Sequence, residues 1–311
     1  MRKIVFIVSV FILLTFLTAC TRKSEPLPTI INEPGQITQN EDVYGSFYTY
    51  IPKQLSRDSN ILVVIHGTPL DGTPEENGGF YAEYWQDFAE DNNLVLIMPV
   101  FDQEHFSSRY GEFALGGYRG LFGTDINADA WVLRLVHAHR ETLGLSEQPF
   151  LLYGHSAGGQ FTARFWVTHP DKLRCGVITS AATYPQPDAS IAWPFGIGEL
   201  DSELVWEDGT VQEVQVKPDK AVWLNALQTP LTVLVGLDDT TEIPQEYLTG
   251  QRGSERVSIA RHWVMDMHTF AEENQIEDAL ALELVPGIGH SMVKLLPFSQ
   301  AVLEKCLVDD N

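Results

Sequence analysis

The sequence predicts an α/β protein with a mostly parallel central sheet flanked by helices. Three observations support this class. Short apolar runs alternate with longer helical patterns from residue 44 onward. Several of these runs are continuously apolar, as in strands that are buried on both faces. The chain of 311 residues is 44% hydrophobic and 20% charged, which is the composition of a globular protein.

The strands are predicted from short apolar runs bounded by turn residues. Segment 47–51 alternates between apolar and polar residues, as an exposed strand does, whereas 61–65 reads Ile-Leu-Val-Val-Ile and indicates a central strand. The run at 94–98 stops at Pro99, because proline cannot donate to a sheet ladder. In chain order, the predicted strands are 47–51, 61–65, 94–98, 150–153, 175–180, 231–235 and 282–285.

The helices are predicted from apolar residues at helical spacing between those strands. Asp125 or Asn127 is the expected cap of the second helix, which ends at Gly144. Pro170 closes the third helix. In chain order, the predicted helices are 81–91, 125–143, 157–169, 256–274 and 291–307.

The segment 184–227 interrupts this alternation. It is rich in proline, tryptophan and glycine, which favours irregular structure over another strand-helix unit. We therefore expect a lid-like insertion within one domain that spans 44–311. Tyr184, Trp193 and Phe195 follow the predicted strand 175–180, so they either line a pocket for an acyl or aromatic group or pack on the core.

The first 19 residues have the layout of a secretory signal, with Arg2 and Lys3 before an apolar run that is too short to favour a spanning helix. The sequence Leu-Thr-Ala-Cys at 17–20 resembles the lipobox of bacterial lipoproteins, which implies cleavage before Cys20 and lipidation of that residue. Thr21 follows in place of Asp, and by the same resemblance this favours the outer membrane in a host with two membranes, whereas the surface of a Gram-positive host is equally compatible. The alternative is an ordinary cleaved signal. Residues 20–43 are predicted as a flexible tether, since they contain few large apolar residues.

The formal net charge of -22 argues against nucleic acid or anionic lipid headgroups as partners. No CxxC motif or His/Cys cluster with metal spacing is present, so we predict neither a metal site nor a cofactor. Cys175 and Cys306 remain once Cys20 is lipidated. An oxidising compartment permits a disulfide between them, and two separate thiols are the alternative.

The chemistry is predicted from residues that follow strands. Gly154-His155-Ser156-Ala157-Gly158-Gly159 comes between a predicted strand and a predicted helix, where a sharp turn exposes a serine hydroxyl. The alternative is that these glycines only allow tight packing and that Ser156 caps the helix. The turn His66-Gly67-Thr68 follows the central strand, so the backbone N–H groups of Thr68 and Ala157 are the predicted oxyanion hole.

A base and an acid are predicted from loops after the last two strands. His290 lies on the glycine-rich loop Gly287-Ile288-Gly289-His290-Ser291. Strand 231–235 is followed by Gly236-Leu237-Asp238-Asp239, and one of these acids would orient the imidazole. Asp239 is preferred and Asp238 is the alternative, because the acid usually stands third after the glycine in the family that these motifs resemble.

The motifs occur in the order Ser, acid, His, and together they resemble the α/β-hydrolase superfamily over about 44–307. Within it, the chain is similar to secreted esterases such as polyhydroxyalkanoate depolymerases and feruloyl esterases, through IPKQL at 51–55 and GHSAGGQFTARF at 154–165. The resemblance implies a serine hydrolase that cleaves small or polymeric esters without a cofactor. Two alternatives are amide or peptide cleavage by the same residues and a catalytically silent binding protein of the same fold.

Overall fold

A computed structural model describes residues 25–69, 72–106, 117–198 and 219–308. Eight strands form one sheet in the order β1-β2-β4-β3-β5-β6-β7-β8. β1 and β2 are antiparallel to their neighbours, whereas β3 to β8 all run parallel to one another. The strands are β1 (Ile37–Asp42), β2 (Gly45–Tyr50), β3 (Asn60–Ile65), β4 (Leu94–Pro99), β5 (Phe150–His155), β6 (Leu173–Thr179), β7 (Leu231–Gly236) and β8 (Leu280–Val285).

Helices cover both faces of the sheet. Those of the described residues are α1 (Pro74–Asp91), α2 (Gln103–Phe106), α3 (Ala128–Leu143), α4 (Ala157–Thr168), α5 (Lys220–Gln228), α6 (Arg256–Glu273) and α7 (Met292–Val308). The apolar residues of α1 and α7 pack on one face, and those of α3, α4, α5 and α6 pack on the other. Alternate residues of β3 belong to the two cores, as the pleat of a strand requires. The predicted α/β class with a mostly parallel sheet is confirmed.

The N-terminal segment is more ordered than the sequence predicts. β1 lies inside the predicted tether 20–43 and pairs with β2 along its whole length. Asn40 is buried, and its Oδ1 accepts a hydrogen bond of 2.8 Å from the backbone N–H of Ile31. Arg134 forms an ion pair of 2.8 Å with Asp42. These polar contacts order an edge strand without an apolar face, so the low apolar content of the segment misled the prediction.

Helix α1 begins seven residues before the predicted start at residue 81. Thr73 and Glu76 form a capping box and Pro74 occupies the first turn, a combination that favours a helix start. The two glycines at 78–79 obscured it in the sequence. A Cβ on Gly78 would lie 2.8 Å from a methyl carbon of Val100, so this position brings the helix close to the sheet.

The predicted insertion 184–227 is only partly irregular. Its described first part, 184–198, has no helix, and its residues Tyr184 and Trp193 are buried in the core. Residues 199–218 lie outside the described part of the chain. Its last residues belong to α5, whose Trp223 is fully buried, so the prediction of an irregular cover is wrong there. A disulfide joins Cys175 in β6 to Cys306 in α7, which resolves the alternative that the sequence left open.

Candidate active site

Ser156 stands on a sharp turn between β5 and α4. Its φ of 54° is in the left-handed region, a strained backbone for a residue with a side chain. The flanking glycines allow the turn, because a Cβ on Gly154 would lie 2.1 Å from the carbonyl oxygen of Gly158 and one on Gly158 would lie 2.2 Å from that of Ile65. The turn therefore places the Ser156 hydroxyl above the carboxyl ends of the parallel strands.

His290 and Asp239 lie on the loops after β8 and β7, and both reach this turn. The Nε2 atom of His290 is 3.1 Å from the Oγ of Ser156. The Nδ1 atom of the same ring is 2.8 Å from Oδ2 of Asp239. The two loops touch closely, since a Cβ on Gly236 would lie 2.1 Å from the carbonyl oxygen of Ile288. The structure thus brings the preferred predicted residues into one hydrogen-bonded line.

The alternative acid, Asp238, is placed differently. Its side chain is exposed, and its backbone N–H donates a hydrogen bond of 2.9 Å to the carbonyl oxygen of Ile288. Asp239 has a fully buried side chain that contacts the imidazole. Asp238 helps to hold the two loops together, and it is Asp239 that contacts His290.

Arg256 contacts the other oxygen of Asp239, a partner that the sequence analysis missed. Its Nη1 lies 3.3 Å from Oδ1 of Asp239. Burial of Asp239 favours its neutral form, but the hydrogen bond and charge of His290 and the charge of Arg256 outweigh this and lower the pKa of Asp239. Arg256 is the first residue of α6, distant from every recognised motif, so no local pattern indicated its role.

A second imidazole lies beside His290. The rings of His155 and His290 are 4.9 Å apart between centroids, and the Nδ1 of His155 is 2.9 Å from the Oγ1 of Thr179. Burial and the neighbouring His290 hold the pKa of His155 well below its usual range. His155 is therefore neutral at pH 7 and adds no second positive charge to the site.

The two residues of the predicted oxyanion hole lie near Ser156 in different ways. Ala157 is the first residue of α4, so its N–H has no acceptor within the helix. Thr68 lies with Ser156 in the wall of one groove, and its hydroxyl accepts a hydrogen bond from Arg119. The preceding N–H, that of Gly67, donates to the hydroxyl of Tyr81 at 3.1 Å.

His66 fixes the turn that carries Thr68. The backbone N–H of Phe101 donates to Nε2 of His66 at 2.9 Å, so the ring proton is on Nδ1 and is donated to the carbonyl oxygen of Gly67 at 2.7 Å. Burial lowers the pKa of His66 to about 4. The neutral ring therefore keeps this tautomer at neutral pH and holds the turn in one conformation.

The site opens into a groove of about 580 Å³. Its described walls come from the turn at 67–68, the first half of α1, the serine turn, and the start of α7. Within the described ranges, no group of three or more His, Cys, Asp or Glu residues is arranged to hold a metal ion. The same ranges contain no helix that combines the length and apolar character of a membrane span. Cys20 and the predicted signal 1–19 lie outside them.

Several solved structures are similar to this one. A poly(aspartic acid) hydrolase from Sphingomonas sp. KT-1 aligns with a TM-score of 0.68 and 22% identity over 88% of this chain and 100% of that chain. A poly(3-hydroxybutyrate) depolymerase from Bordetella parapertussis aligns with a TM-score of 0.66 and 22% identity, over 84% of this chain and 83% of that chain. The chain has the α/β-hydrolase fold. A fluorophosphonate-binding serine hydrolase from Staphylococcus aureus shares it with a TM-score of 0.53 and 18% identity, over 88% of this chain and 97% of that chain.

Similarity to known proteins is weaker in sequence than in structure. No protein-family model matches it, and no curated protein is similar to it. In an α/β-hydrolase fold, loops at the carboxyl ends of the strands carry the active site. The serine turn after β5 and the loops after β7 and β8 are at that edge of the sheet, and the sheet order puts only β6 between β5 and β7.

Proposed function

We propose that this protein is a serine hydrolase that cleaves carboxylic esters through an acyl-enzyme intermediate. The observation that carries the proposal is the continuous hydrogen-bonded line from the Ser156 hydroxyl through His290 to Asp239, with distances of 3.1 Å and 2.8 Å. Two structural neighbours bear the names of a depolymerase of a polyester and a serine hydrolase.

Each residue has a defined role in this mechanism. His290 removes the proton of Ser156 as the hydroxyl oxygen attacks the ester carbonyl carbon. The N–H groups of Thr68 and Ala157 bind the negative oxygen that develops. His290 then gives its proton to the departing alcohol oxygen, and an acyl-Ser156 remains. A water molecule repeats the sequence, releases the carboxylic acid and returns the proton to Ser156. Asp239 orients the ring and stabilises its charged form.

Ser156→Ala tests the proposal directly. Turnover of p-nitrophenyl acetate should fall by about a thousandfold or more, because the hydroxyl that contacts Nε2 of His290 is removed. The purified protein should also be labelled by a fluorophosphonate probe, and the Ser156→Ala variant should not. Circular dichroism of both proteins controls for folding. An unlabelled parent chain that binds an ester without cleaving it would instead indicate a silent binding protein.

Amide cleavage is the second candidate function. The same side chains serve it, and the similar structure from Sphingomonas is named as a hydrolase of poly(aspartic acid), which is a polyamide. Parallel assays on matched esters and anilides of one acyl group separate the two. A higher kcat/KM on the anilide would replace the ester proposal with an amidase.

We also propose that the chain is an extracytoplasmic lipoprotein anchored through Cys20. The arrangement of residues 1–20 supports this, and the disulfide between Cys175 and Cys306 is suited to an oxidising compartment. Cys20→Ser should move the protein from the membrane fraction to the soluble fraction when it is expressed with its own signal. Unchanged partition between the fractions would contradict lipidation.

A further inference from the structure

The groove in front of Ser156 has an exposed apolar rim. Phe80 on α1 and Val293 on α7 both line the groove, and their exposed fractions are 42% and 39%. The ring of Tyr84, 38% exposed, lies 4.7 Å from that of Phe80 and extends the apolar surface outward along α1. Contiguous exposed apolar groups beside a groove are typical of a binding surface.

The charges of the groove do not favour an anionic ligand. Among its described lining residues, Arg256 is the one Lys or Arg, and it is paired with Asp239. Glu76 is the one carboxylate of that wall, and its Oε2 accepts a hydrogen bond of 2.9 Å from the N–H of Thr73. The net charge of -22 adds further repulsion toward anions. An uncharged apolar ligand fits this surface best.

The position of His290 determines which part of an ester contacts this rim. The Nε2 of His290 must deliver a proton to the departing oxygen, so the alcohol part lies on the same side of Ser156 as the imidazole. Ser291, Met292 and Val293 follow His290 in the chain and line the groove. Val293 is therefore on the alcohol side of Ser156, and Phe80 lines the same groove.

We propose that the rim formed by Phe80, Tyr84 and Val293 is the leaving-group subsite and that it selects esters of uncharged aliphatic or aromatic alcohols. This inference rests on the proposed function and adds the chemical class of the alcohol. It predicts that lengthening the alcohol improves kcat/KM more than lengthening the acyl chain by the same number of carbons.

Hexyl acetate and methyl heptanoate test the inference, because they are isomers with the long chain on opposite sides of the ester. Acid release at constant pH measures kcat/KM for both, and alkyl alcohols keep the chemistry of the leaving group nearly constant. The parent protein should prefer hexyl acetate. Phe80→Ala and Val293→Ala should each lower the ratio of the two kcat/KM values by about fivefold, through loss of apolar contact. Met265→Ala is the matched control, since Met265 is an exposed apolar residue of α6, 52% exposed, outside the lining of this groove.

The outcomes separate the inference from the proposed function. If neither ester is cleaved and the fluorophosphonate probe does not label Ser156, the proposed function fails. If both are cleaved but the ratio is the same in Phe80→Ala, Val293→Ala and Met265→Ala, the subsite is overturned and the hydrolase remains. A preference for methyl heptanoate that the two rim variants abolish would assign the rim to the acyl chain and would also overturn it.

Discussion

At the residue scale, adjacent aspartates differ sharply in environment. Asp239 has its carboxylate between His290 and Arg256 with no solvent exposure, whereas Asp238 is exposed. An acid that orients the imidazole must touch it, because the correct tautomer of the ring depends on that hydrogen bond. The two residues therefore provide an internal comparison for the role of the acid.

Asp239→Asn and Asp238→Asn should have unequal effects on activity. We expect Asp239→Asn to lower kcat about a thousandfold or more, since an amide in contact with Nδ1 favours the wrong ring tautomer. Asp238→Asn should change kcat less than about threefold, because its backbone contact to Ile288 is retained. Steady-state kinetics on p-nitrophenyl acetate measures both. Similar losses in the two variants would contradict the assignment of the acid.

Arg256 should affect the pH dependence of activity. Its charge lowers the pKa of Asp239, the carboxyl that contacts the imidazole of His290. In Arg256→Met this contribution is lost, so the pKa of Asp239 should rise. Asp239 then loses its charge at a higher pH and stops holding the imidazole in the orientation that the proposed mechanism needs, so the acid limb of the kcat/KM profile should move upward.

The remaining charged and titratable neighbours stay in place in that variant. They include Asp239 on the β7 loop, His155 on the serine turn, Glu76 on α1 and the buried Tyr184. Arg252→Met is the matched control, since Arg252 is a half-exposed arginine paired with Asp266 outside the groove. If the acid limb of Arg256→Met stays at the same pH while the maximal kcat/KM falls, Arg256 acts on the fold alone.

At the scale of elements, the disulfide connects the end of α7 to β6, an interior strand of the sheet. Cys175 and Cys306 are separated by 131 residues, and a crosslink that closes a long loop restricts the unfolded chain strongly. His290 lies at the opposite end of α7, two residues before its first residue. The disulfide therefore limits how far that helix can move away from the sheet.

Replacing both cysteines by serine should lower the free energy of unfolding by about 2–4 kcal/mol. In a domain of this size each kcal/mol corresponds to a Tm decrease of roughly 2–4 °C. Calorimetry on the parent and on the double variant, each with and without reductant, measures the effect. Reductant should lower the Tm of the parent only. An identical Tm in all four samples would show that the crosslink contributes no stability.

The sequence predicts some of these elements well for a physical reason. β3 and β4 are buried on both faces, so their apolar runs are visible without any knowledge of their neighbours. β1 and the start of α1 depend on an edge pairing, a capping box and a close contact at Gly78, which composition does not reveal. α5 was hidden within a segment whose prolines and glycines dominate its average composition.

The same reasoning applies to the site. Ser156, His290 and Asp239 stand in short glycine-flanked motifs after strands, and parallel strands bring their carboxyl ends together at one edge. Arg256 and His155 contact Asp239 and His290, which are far from them in the sequence. These contacts can be found only in the three-dimensional structure. The rim of Phe80, Tyr84 and Val293 likewise combines two helices that are far apart in the chain.

At the scale of the whole molecule, the order of the strands brings together two residues that are far apart along the chain. Ser156 and His290 are in contact across a sequence separation of 134 residues. β8 and α7, which flank His290, follow all the other elements of the described residues, and the disulfide also needs Cys306. A chain that is synthesised from its N-terminus therefore presents Ser156 before His290. Under the proposed function, the serine hydroxyl gains its reactivity only when β8 and α7 have folded onto the sheet and carried the imidazole to it.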